Sequence, residues 1–378
     1  MKLSYTTKLI CSNEIKSQLL QVLELERDMF NYCSNKFFGQ KEYSIKNIHN
    51  LCYYALKSKF SPKSQFAIKA EQSCLAAYRS IRSNKQKLTT PPIKKKLSIQ
   101  LDKRICTLRG NTLILTTLDH RVKCTFEIYP RLKNMLDKYT PKDPKLFCRN
   151  GELYITLVFD VLEPIIKRNL ALGVDLGYRR YAATSEGKLF IDKEYNKSKR
   201  KIRYLKRCLQ SKNTQSSNRH LRKLKNKEKN QSKDFNHKLA NAILKTKANV
   251  IVLENLNVQK MKKKRHPGKS RSRKGQVGLS VLKVFLTYKA ALLGKEVVCV
   301  NPKNTSQVDC VYGKKGMRRG CRFYAQNGLV YDADVNAAIN IAKRSKLPVS
   351  QGNPLDGQAV INQSIVGPVL QTFCFSGR

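Results

Sequence analysis

The chain has 378 residues, of which 75 are Lys or Arg and 26 are Asp or Glu, so its formal net charge is +49. A positive excess of this size is larger than solubility requires and indicates a polyanionic partner. No segment approaches the roughly 18 apolar residues of a membrane-spanning helix, and the first residues lack the apolar core of a signal peptide. We therefore expect a nucleic-acid-binding protein with no membrane partner.

Hydrophobic residues make up 41% of the chain, which indicates a folded protein of two or three domains in spite of the charge. The twelve cysteines include no Cys-x-x-Cys pair. Cysteines scattered in this way indicate reduced, structural thiols. We therefore expect an intracellular protein.

The N-terminal part combines a strand with helices. Alternating residues predict a strand over 1–11, and from Ser12 the hydrophobic period becomes helical. A second helix is predicted after Ser61, with Pro62 in its first turn, so a helical module fills residues 12–90. Short strands separated by turn residues follow over 91–168. With the first strand they predict a small basic β-barrel, which is either a nucleic-acid platform or a purely structural barrel.

From residue 169 onward, strands alternate with helices as in a mixed α/β domain. Residues 197–229 carry 14 Lys or Arg and a single acid, Glu228, and their leucines follow helical spacing. We predict a helical hairpin that contacts phosphates, because so many like charges on a merely solvated face would repel one another. The predicted contact residues are Lys199, Arg200, Lys201, Arg203, Lys206 and Arg207. A second basic segment, residues 260–276, is either a mobile loop or a nuclear localisation signal.

Three carboxylates lie at the ends of elements that belong in a core. Asp175 ends the apolar run "ALGVD", Glu254 ends "ANVIVLE", and Asp334 opens the helix "DVNAAINIAKR". If the two strands are neighbours and the helix covers their ends, the three carboxylates converge and require cations. Mg²⁺ prefers such oxygen ligands, and two ions about 4 Å apart can activate water and stabilise the leaving oxygen of a phosphodiester. We therefore predict these three residues as catalytic metal ligands.

Each carboxylate also has a simpler explanation. An Asp at a helix start is most often an N-cap, and Asp332 is expected to have that role, although it competes with Asp334 as the third ligand. Glu254 alone could pair with one of the many lysines. The order of the three residues within a basic protein favours the metal site.

The segments around these carboxylates resemble a known family. Asp175 lies in "GVDLGYRRYAATSEGK", Glu254 in "VIVLENLNVQKMKKKR" and Asp334 in "DADVNAAINI". These segments resemble the three RuvC motifs of the TnpB (OrfB) proteins of insertion sequences, relatives of the Fanzor proteins and of type V CRISPR effectors. The stretches "YKAALLGKEVVCVNPKNTSQ" and "FSPKSQFAIKA" are similar to further parts of these proteins, so the resemblance covers nearly the whole chain.

The resemblance implies an α/β and β multidomain fold: an RNase H-like RuvC nuclease domain with a β-barrel wedge domain and a helical recognition module. The wedge barrel would comprise residues 1–11 and 91–168, and the recognition module residues 12–90. The nuclease part would comprise 169–303 with its basic helical insertion, a degenerate zinc-ribbon-like lobe at 304–328, the third motif and its helix at 329–346, and a C-terminal tail at 347–378.

The chain departs from the family at the zinc ribbon. Members of the family usually carry two Cys-x-x-Cys pairs there. Aligned on the flanking segments, the four ligand positions fall on Asp309, Tyr312, Tyr324 and Asn327. Cys310 and Cys321 remain nearby, but two cysteines do not complete a tetrahedral site. We predict that structural zinc is absent and that the lobe is either partly mobile or held by other packing, in which the tyrosines fill the space left by the metal with Phe323 beside them.

The resemblance further implies an RNA-guided DNA endonuclease that cuts double-stranded DNA next to a short transposon-adjacent motif. Its partners would be a guide RNA from the transposon end and the DNA target, and we expect a monomer or weak dimer. The compartment would be the bacterial cytoplasm or nucleoid, or the nucleus of a eukaryotic host. An RNA-guided DNA-binding regulator with little or no cleavage and a transposition accessory protein are the alternatives. All three carboxylates are present, which favours the nuclease.

Overall fold

The structure is a computed structural model that describes residues 1–166, 168–177, 180–255 and 279–350. The chain divides into two compact units, Met1–Leu162 and Glu163–Arg378. Within the described ranges, no helix is long and apolar enough to cross a membrane. The basic segment 260–276 and most of the C-terminal tail lie outside these ranges.

The first unit contains a helical module. It consists of α1 (Asn13–Phe37), α2 (Ile45–Phe60) and α3 (Ser64–Ser83). The Ser12 hydroxyl caps α1 by accepting from the amide of Ile15, which confirms the predicted start of this helix. Apolar faces of the three helices meet in one core, where Phe37, Phe66 and Tyr78 are almost fully buried. Helix α2 is not predicted by the sequence pattern.

A seven-stranded antiparallel sheet completes the first unit. Its spatial order is β2-β6-β7-β1-β5-β4-β3, and the chain between β5 and β6 forms helix α4 (Pro130–Lys138). The strands are β1 (Lys2–Ile10), β2 (Ser98–Gln100), β3 (Cys106–Arg109), β4 (Thr112–Thr116), β5 (Arg121–Phe126), β6 (Pro141–Arg149) and β7 (Glu152–Asp160). Asn150 and Gly151 have φ of 52° and 77°, which suits the tight hairpin turn between β6 and β7.

The N-terminal strand joins the two halves of this sheet. Lys2–Lys8 pairs with β7, and Leu9 and Ile10 pair with β5. The strands predicted on either side of the helical module are thus confirmed as one sheet. Among the described residues β2 and β3 are its edges, so closure into a wedge barrel stays a prediction.

The second unit is built on a five-stranded mixed sheet of order β10-β9-β8-β11-β12. Strands β8, β11 and β12 are parallel, and β9 and β10 are antiparallel. The bounds are β8 (Ala171–Asp175), β9 (Ala182–Thr184), β10 (Leu189–Phe190), β11 (Val250–Glu254) and β12 (Glu296–Val300). The buried strands β8 and β11 are continuously apolar because helices cover both faces of the sheet.

In the described part of the second unit, four helices and a small sheet accompany this larger sheet. The helices are α5 (Lys193–Lys212), α6 (Gln215–Leu244), α7 (Leu279–Leu292) and α8 (Ala333–Lys343). Helices α6 and α7 pack on the face that carries Leu172 and Ile251, whereas Ile341 of α8 packs on the face that carries Val250. The small sheet is formed by β13 (Met317–Arg319), β14 (Arg322–Tyr324) and β15 (Val330–Asp332).

Helices α5 and α6 form the predicted helical hairpin. Asp192 caps α5, and α5 ends at Asn213 in the left-handed conformation. Thr214 and Ser217 then form a reciprocal capping box at the start of α6. These caps force the chain to turn between the two basic helices.

Candidate active site

Asp175 and Glu254 lie at the same edge of the five-stranded sheet. Strands β8 and β11 are parallel neighbours, and Leu253 lies opposite Val174 in their register. Asp175 and Glu254 are the last residues of these two strands. The predicted convergence of the first two carboxylates therefore follows from strand register.

Asp334 is brought to this edge by the close packing of α8 on β8. A Cβ atom added to Gly173 would lie 1.9 Å from the Ala338 carbonyl oxygen and 2.7 Å from the Ala342 amide nitrogen. Glycine is therefore required at this position for the helix to approach the strand. Asp334 lies in the first turn of α8.

Asp332 is the N-cap of α8, as the sequence predicts. Its Oδ1 atom accepts from the amides of Asp334 at 3.0 Å and Val335 at 3.2 Å. Its Oδ2 atom accepts from the Arg180 guanidinium. Both oxygens of Asp332 are thereby engaged, one of them in the N-cap of α8.

Glu254 and Asp334 are close enough to Asp175 to influence its ionisation. The pKa of Asp175 is raised to about 7, mainly by burial and also by the negative charges of Glu254 and then Asp334. Burial also raises the pKa of Glu254, although the Thr305 hydroxyl donates to its Oε1 atom and opposes the shift. Positive charge close to Asp175 would favour its ionised form.

Two arginines supply part of that charge, and both hold Asp334. Arg318 donates from Nη2 to Asp334 Oδ1 at 2.5 Å. Arg180 lies with its Nη1 atom 3.4 Å from Asp334 Oδ2. The side chains of Asp334, Arg180 and Arg318 are 17%, 20% and 35% exposed. Neither arginine is predicted from the sequence, because no local pattern relates either of them to a carboxylate.

The role of the three carboxylates as metal ligands stays a prediction. Within the described ranges, no three His, Cys, Asp or Glu side chains are grouped so that they could hold a metal ion. The oxygens of Asp334 are directed to the guanidinium groups of Arg318 and Arg180. The donor set itself, three carboxylates at one sheet edge, has the hard oxygen chemistry that Mg²⁺ prefers.

The hairpin presents only some of the predicted phosphate contacts to solvent. Arg200, Lys201 and Arg207 are exposed, and Arg203 is half-buried. The Lys206 ammonium is paired with the Glu228 carboxylate across the hairpin.

The prediction that Lys199 contacts a phosphate needs a correction, because this residue is only 8% exposed. Its Nζ atom lies 5.0 Å from the Tyr195 ring centre and 5.3 Å from that of Tyr181. It therefore packs inside the unit as a cation on aromatic rings and is not available to a phosphate.

The lobe at the predicted zinc position has an apolar core. Phe323 and Tyr331 pack with Ala325 and Ala333, and a Cβ on Gly316 would lie 2.5 Å from the Phe323 ring. Tyr312 is 62% exposed and Tyr324 36% exposed. The expectation that these two tyrosines fill the metal's space is therefore wrong, and Phe323 with Tyr331 fills the lobe in their place. Asp309 is buried, and its Oδ1 atom accepts from the Val311 amide.

The fold and the acidic sheet edge define a multidomain α/β protein with a candidate acid site. Residues 156–265 match the family model OrfB_IS605, described as a probable transposase. Residues 280–341 match the model of the Cas12f1-like TNB domain. These two matches confirm the resemblance to the TnpB (OrfB) family that the sequence motifs predict.

Curated relatives agree with this assignment. The putative RNA-guided DNA endonuclease InsQ of Escherichia coli (strain K12) is 30% identical over 216 residues, which cover 50% of this chain and 53% of that protein. The TnpB-like protein MJ0751 of Methanocaldococcus jannaschii is 33% identical over 132 residues, which cover 33% of this chain and 47% of that protein. The chain thus spans about half the length of the curated relatives it matches.

Solved structures share the fold at low sequence identity. Cas12f1, in its complex with sgRNA and target DNA, aligns with a TM-score of 0.60 and 14% identity, covering 88% of this chain and 83% of that one. The mini-RNA-guided endonuclease CRISPR-Cas_phi3 aligns with a TM-score of 0.56 and 12% identity, covering 93% of both chains. These likenesses support the multidomain α/β architecture.

Proposed function

We propose that the chain is an RNA-guided DNA endonuclease that hydrolyses phosphodiester bonds at the edge of the five-stranded sheet. One observation carries the proposal: Asp175 and Glu254 end neighbouring parallel strands, beside the helix start that bears Asp334. The OrfB_IS605 match spans the first two of these residues, and the TNB match spans the third. The names of the relatives, which include a putative RNA-guided DNA endonuclease, point to the same chemistry.

Each acidic residue has a distinct task in this proposal. Asp175 and Glu254 would be ligands on a rigid sheet, where the Thr305 hydroxyl fixes the orientation of the Glu254 carboxylate. Asp334 would be the third ligand, positioned by α8. Bound Mg²⁺ would supply an activated water and charge stabilisation for the leaving oxygen of a phosphodiester. The buried surroundings of Asp175 strengthen every electrostatic interaction at the site.

The partners in this proposal are a guide RNA from the transposon end and a double-stranded DNA target. The net charge of +49 supports a large polyanionic partner. Base pairing between guide and target would supply sequence specificity, and the protein would hold the heteroduplex by its shape and charge. Recognition of a short adjacent DNA motif belongs to the same proposal.

One observation favours the second candidate, a DNA-binding regulator with little or no cleavage. Both oxygens of Asp334 face guanidinium groups. A site locked in this state could not assemble three ligands around a metal, and the chain would then bind DNA through its guide without cutting it.

The experiment that tests the proposal starts from RNA that co-purifies with the full chain. That RNA is sequenced, and the complex is incubated with Mg²⁺ and a DNA library that carries the complementary target beside random flanking bases. Guide-dependent cleavage of DNA is the expected result. Replacement of Asp175, Glu254 or Asp334 with Ala should abolish cleavage and leave guided DNA binding largely intact.

Two further variants sharpen this test. Asp234→Asn removes an exposed carboxylate that pairs with Lys238 on α6, and it should cut at the wild-type rate. If Asp334→Ala still cuts and Asp332→Ala does not, the third ligand is assigned wrongly. Guided binding by the wild-type chain without any cleavage would support the regulator.

A further inference from the structure

Arg318 reaches the carboxylate site from the small sheet. It lies opposite Phe323 in the pairing of β13 with β14, and Phe323 lies opposite Tyr331 of β15. Phe323 is fully buried, whereas Arg318 is exposed and reaches the Asp334 carboxylate in the first turn of α8. Arg319, the next residue, alternates to the other face, where its guanidinium lies 6.0 Å from the Tyr324 ring centre.

The two arginines differ in how tightly they are held. Arg180 interacts with both Asp332 and Asp334, and its side chain is 20% exposed. Arg318 is held by Asp334 and by a 3.3 Å hydrogen bond to the Gly320 carbonyl, and its side chain is 35% exposed. Arg318 is therefore the one that can leave the site without disturbing the N-cap of α8.

A divalent cation and Arg318 have conflicting requirements at Asp334. The Oδ1 atom that accepts the guanidinium hydrogen bond at 2.5 Å cannot at the same time direct that lone pair at a metal ion. A guanidinium this close to a divalent cation would also be repelled by it.

We propose that Arg318 is a built-in counter-ion of the carboxylate site, and that Arg318 and a divalent cation exclude each other at Asp334. The inference rests on the proposed function, because it concerns the same site. In the chain alone, Arg318 neutralises part of the buried acidic cluster and opposes metal loading. Linkage requires the reverse effect as well: a bound cation weakens the Arg318–Asp334 contact by the same factor.

Isothermal titration of the full chain with Mg²⁺, after removal of nucleic acid and metal, tests this inference directly. We expect Arg318→Gln to bind Mg²⁺ at least about fivefold more tightly than the wild type, the lower end of typical coupling between two sites. Arg319→Gln is the matched control, because it removes the same charge from the same strand on the opposite face. Its Mg²⁺ affinity should equal that of the wild type.

Two more variants keep the test decisive. Arg318→Lys retains the charge without the forked donor, so its affinity should fall between those of wild type and Arg318→Gln. Asp334→Asn, alone or added to Arg318→Gln, should weaken Mg²⁺ binding, because it removes the ligand for which Arg318 and the cation compete. Melting curves check that each variant is folded.

The outcomes separate the inference from the proposed function. Equal affinities for wild type, Arg318→Gln and Arg319→Gln, with weaker binding by Asp334→Asn, would overturn the counter-ion and leave the metal site standing. Equal gains in Arg318→Gln and Arg319→Gln would reduce the effect to net charge and also overturn it. Failure of every variant to bind Mg²⁺, or no effect of Asp334→Asn, would overturn the metal site and the inference together.

Discussion

Lys199 is a lysine of the strongly basic α5–α6 hairpin that packs against the aromatic rings of Tyr181 and Tyr195. The pKa of Lys199 is lowered to about 8, mainly by burial and also by the nearby charge of Arg203, while Glu228 acts in the opposite direction. The faces of Tyr181 and Tyr195 favour the charged form. Charge repulsion and burial prevail, so the folded protein holds this proton less firmly than the unfolded chain.

Stability should therefore depend on pH through this residue. Between pH 8 and 10.5 the unfolded chain binds more protons at Lys199 than the folded protein, so unfolding free energy rises with pH across that window. Lys199→Met keeps the length of the side chain and removes the charge. Because a neutral side chain avoids the cost of burying the charge, we expect the substitution to raise the unfolding free energy at pH 7 by at most about 3 kcal/mol. The lost cation–π attraction, about 1 kcal/mol, acts against this gain.

Urea unfolding at pH 7 and pH 9.5 measures this effect. The wild type should gain stability between the two values relative to Lys199→Met. Lys201→Met, which changes an exposed lysine on the same helix, is the control and should behave as the wild type. If the change in unfolding free energy between pH 7 and pH 9.5 is the same in Lys199→Met as in the wild type, the lowered pKa of Lys199 is contradicted.

At the scale of elements, the α5–α6 hairpin retains an exposed cationic face after Lys199 and Lys206 are set aside. Replacing Arg200, Lys201 and Arg207 with Gln should weaken nucleic-acid binding and flatten its salt dependence. Each neutralised phosphate of duplex DNA contributes about 0.9 to the slope of log K against log salt, so the slope should become shallower by that amount for each side chain that binds a phosphate.

The double variant Lys206→Gln with Glu228→Gln is the control for the hairpin. It removes an ion pair without changing the net charge, so its slope should match that of the wild type. Filter binding at KCl concentrations from about 0.05 to about 0.3 M gives both slopes. An unchanged slope in the triple variant would mean that this face is only solvated.

The lobe between the second and third motifs should be stable without zinc. Phe323, Tyr331 and Ala325 form its buried core, and the Cys310 amide donates to Asn336 Oδ1 of α8 at 2.8 Å. We expect elemental analysis to find well under one zinc per chain. EDTA should stop cleavage by removing Mg²⁺ and should leave the melting temperature nearly unchanged.

Phe323→Ala tests whether the apolar core stabilises the lobe. Removing a fully buried phenylalanine costs about 3–5 kcal/mol, so the lobe should become sensitive to protease. Tyr312→Ala, at an exposed position, is the control. Stoichiometric zinc bound through residues 305–330 would show that the family's ligand positions are aligned wrongly.

At the scale of the whole molecule, charge opposes folding. A net charge of +49 creates self-repulsion in any compact state, and salt screens it over a Debye length of about 10 Å at 0.1 M. We expect the melting temperature of the nucleic-acid-free chain to rise between 0.1 and 0.5 M NaCl, conditions that shorten that length. Differential scanning fluorimetry measures it, and a falling melting temperature would contradict this view.

Particular elements show how much of the fold the sequence predicts. The strand period of residues 2–10 and the cap at Ser12 are local features, and the structure contains the expected elements there. Helices α2 and α4 escaped prediction, because α2 lies between two stronger periodic stretches and α4 between two strands. The domain boundaries implied by the resemblance stay predictions.

The sequence by itself determined the composition of the site: two strand-ending acids and one acid at a helix start, in that order, in a strongly basic chain. Apolar period and capping act over a few residues, so these features could be derived locally. Only the tertiary structure decided that Arg318 and Arg180 hold Asp334, and that Lys199 is buried on tyrosine rings. Such contacts depend on strand register and on the close approach of α8 at Gly173. Arg180 and Asp332 are 152 residues apart, and no local pattern specifies which distant side chains the packing will bring together.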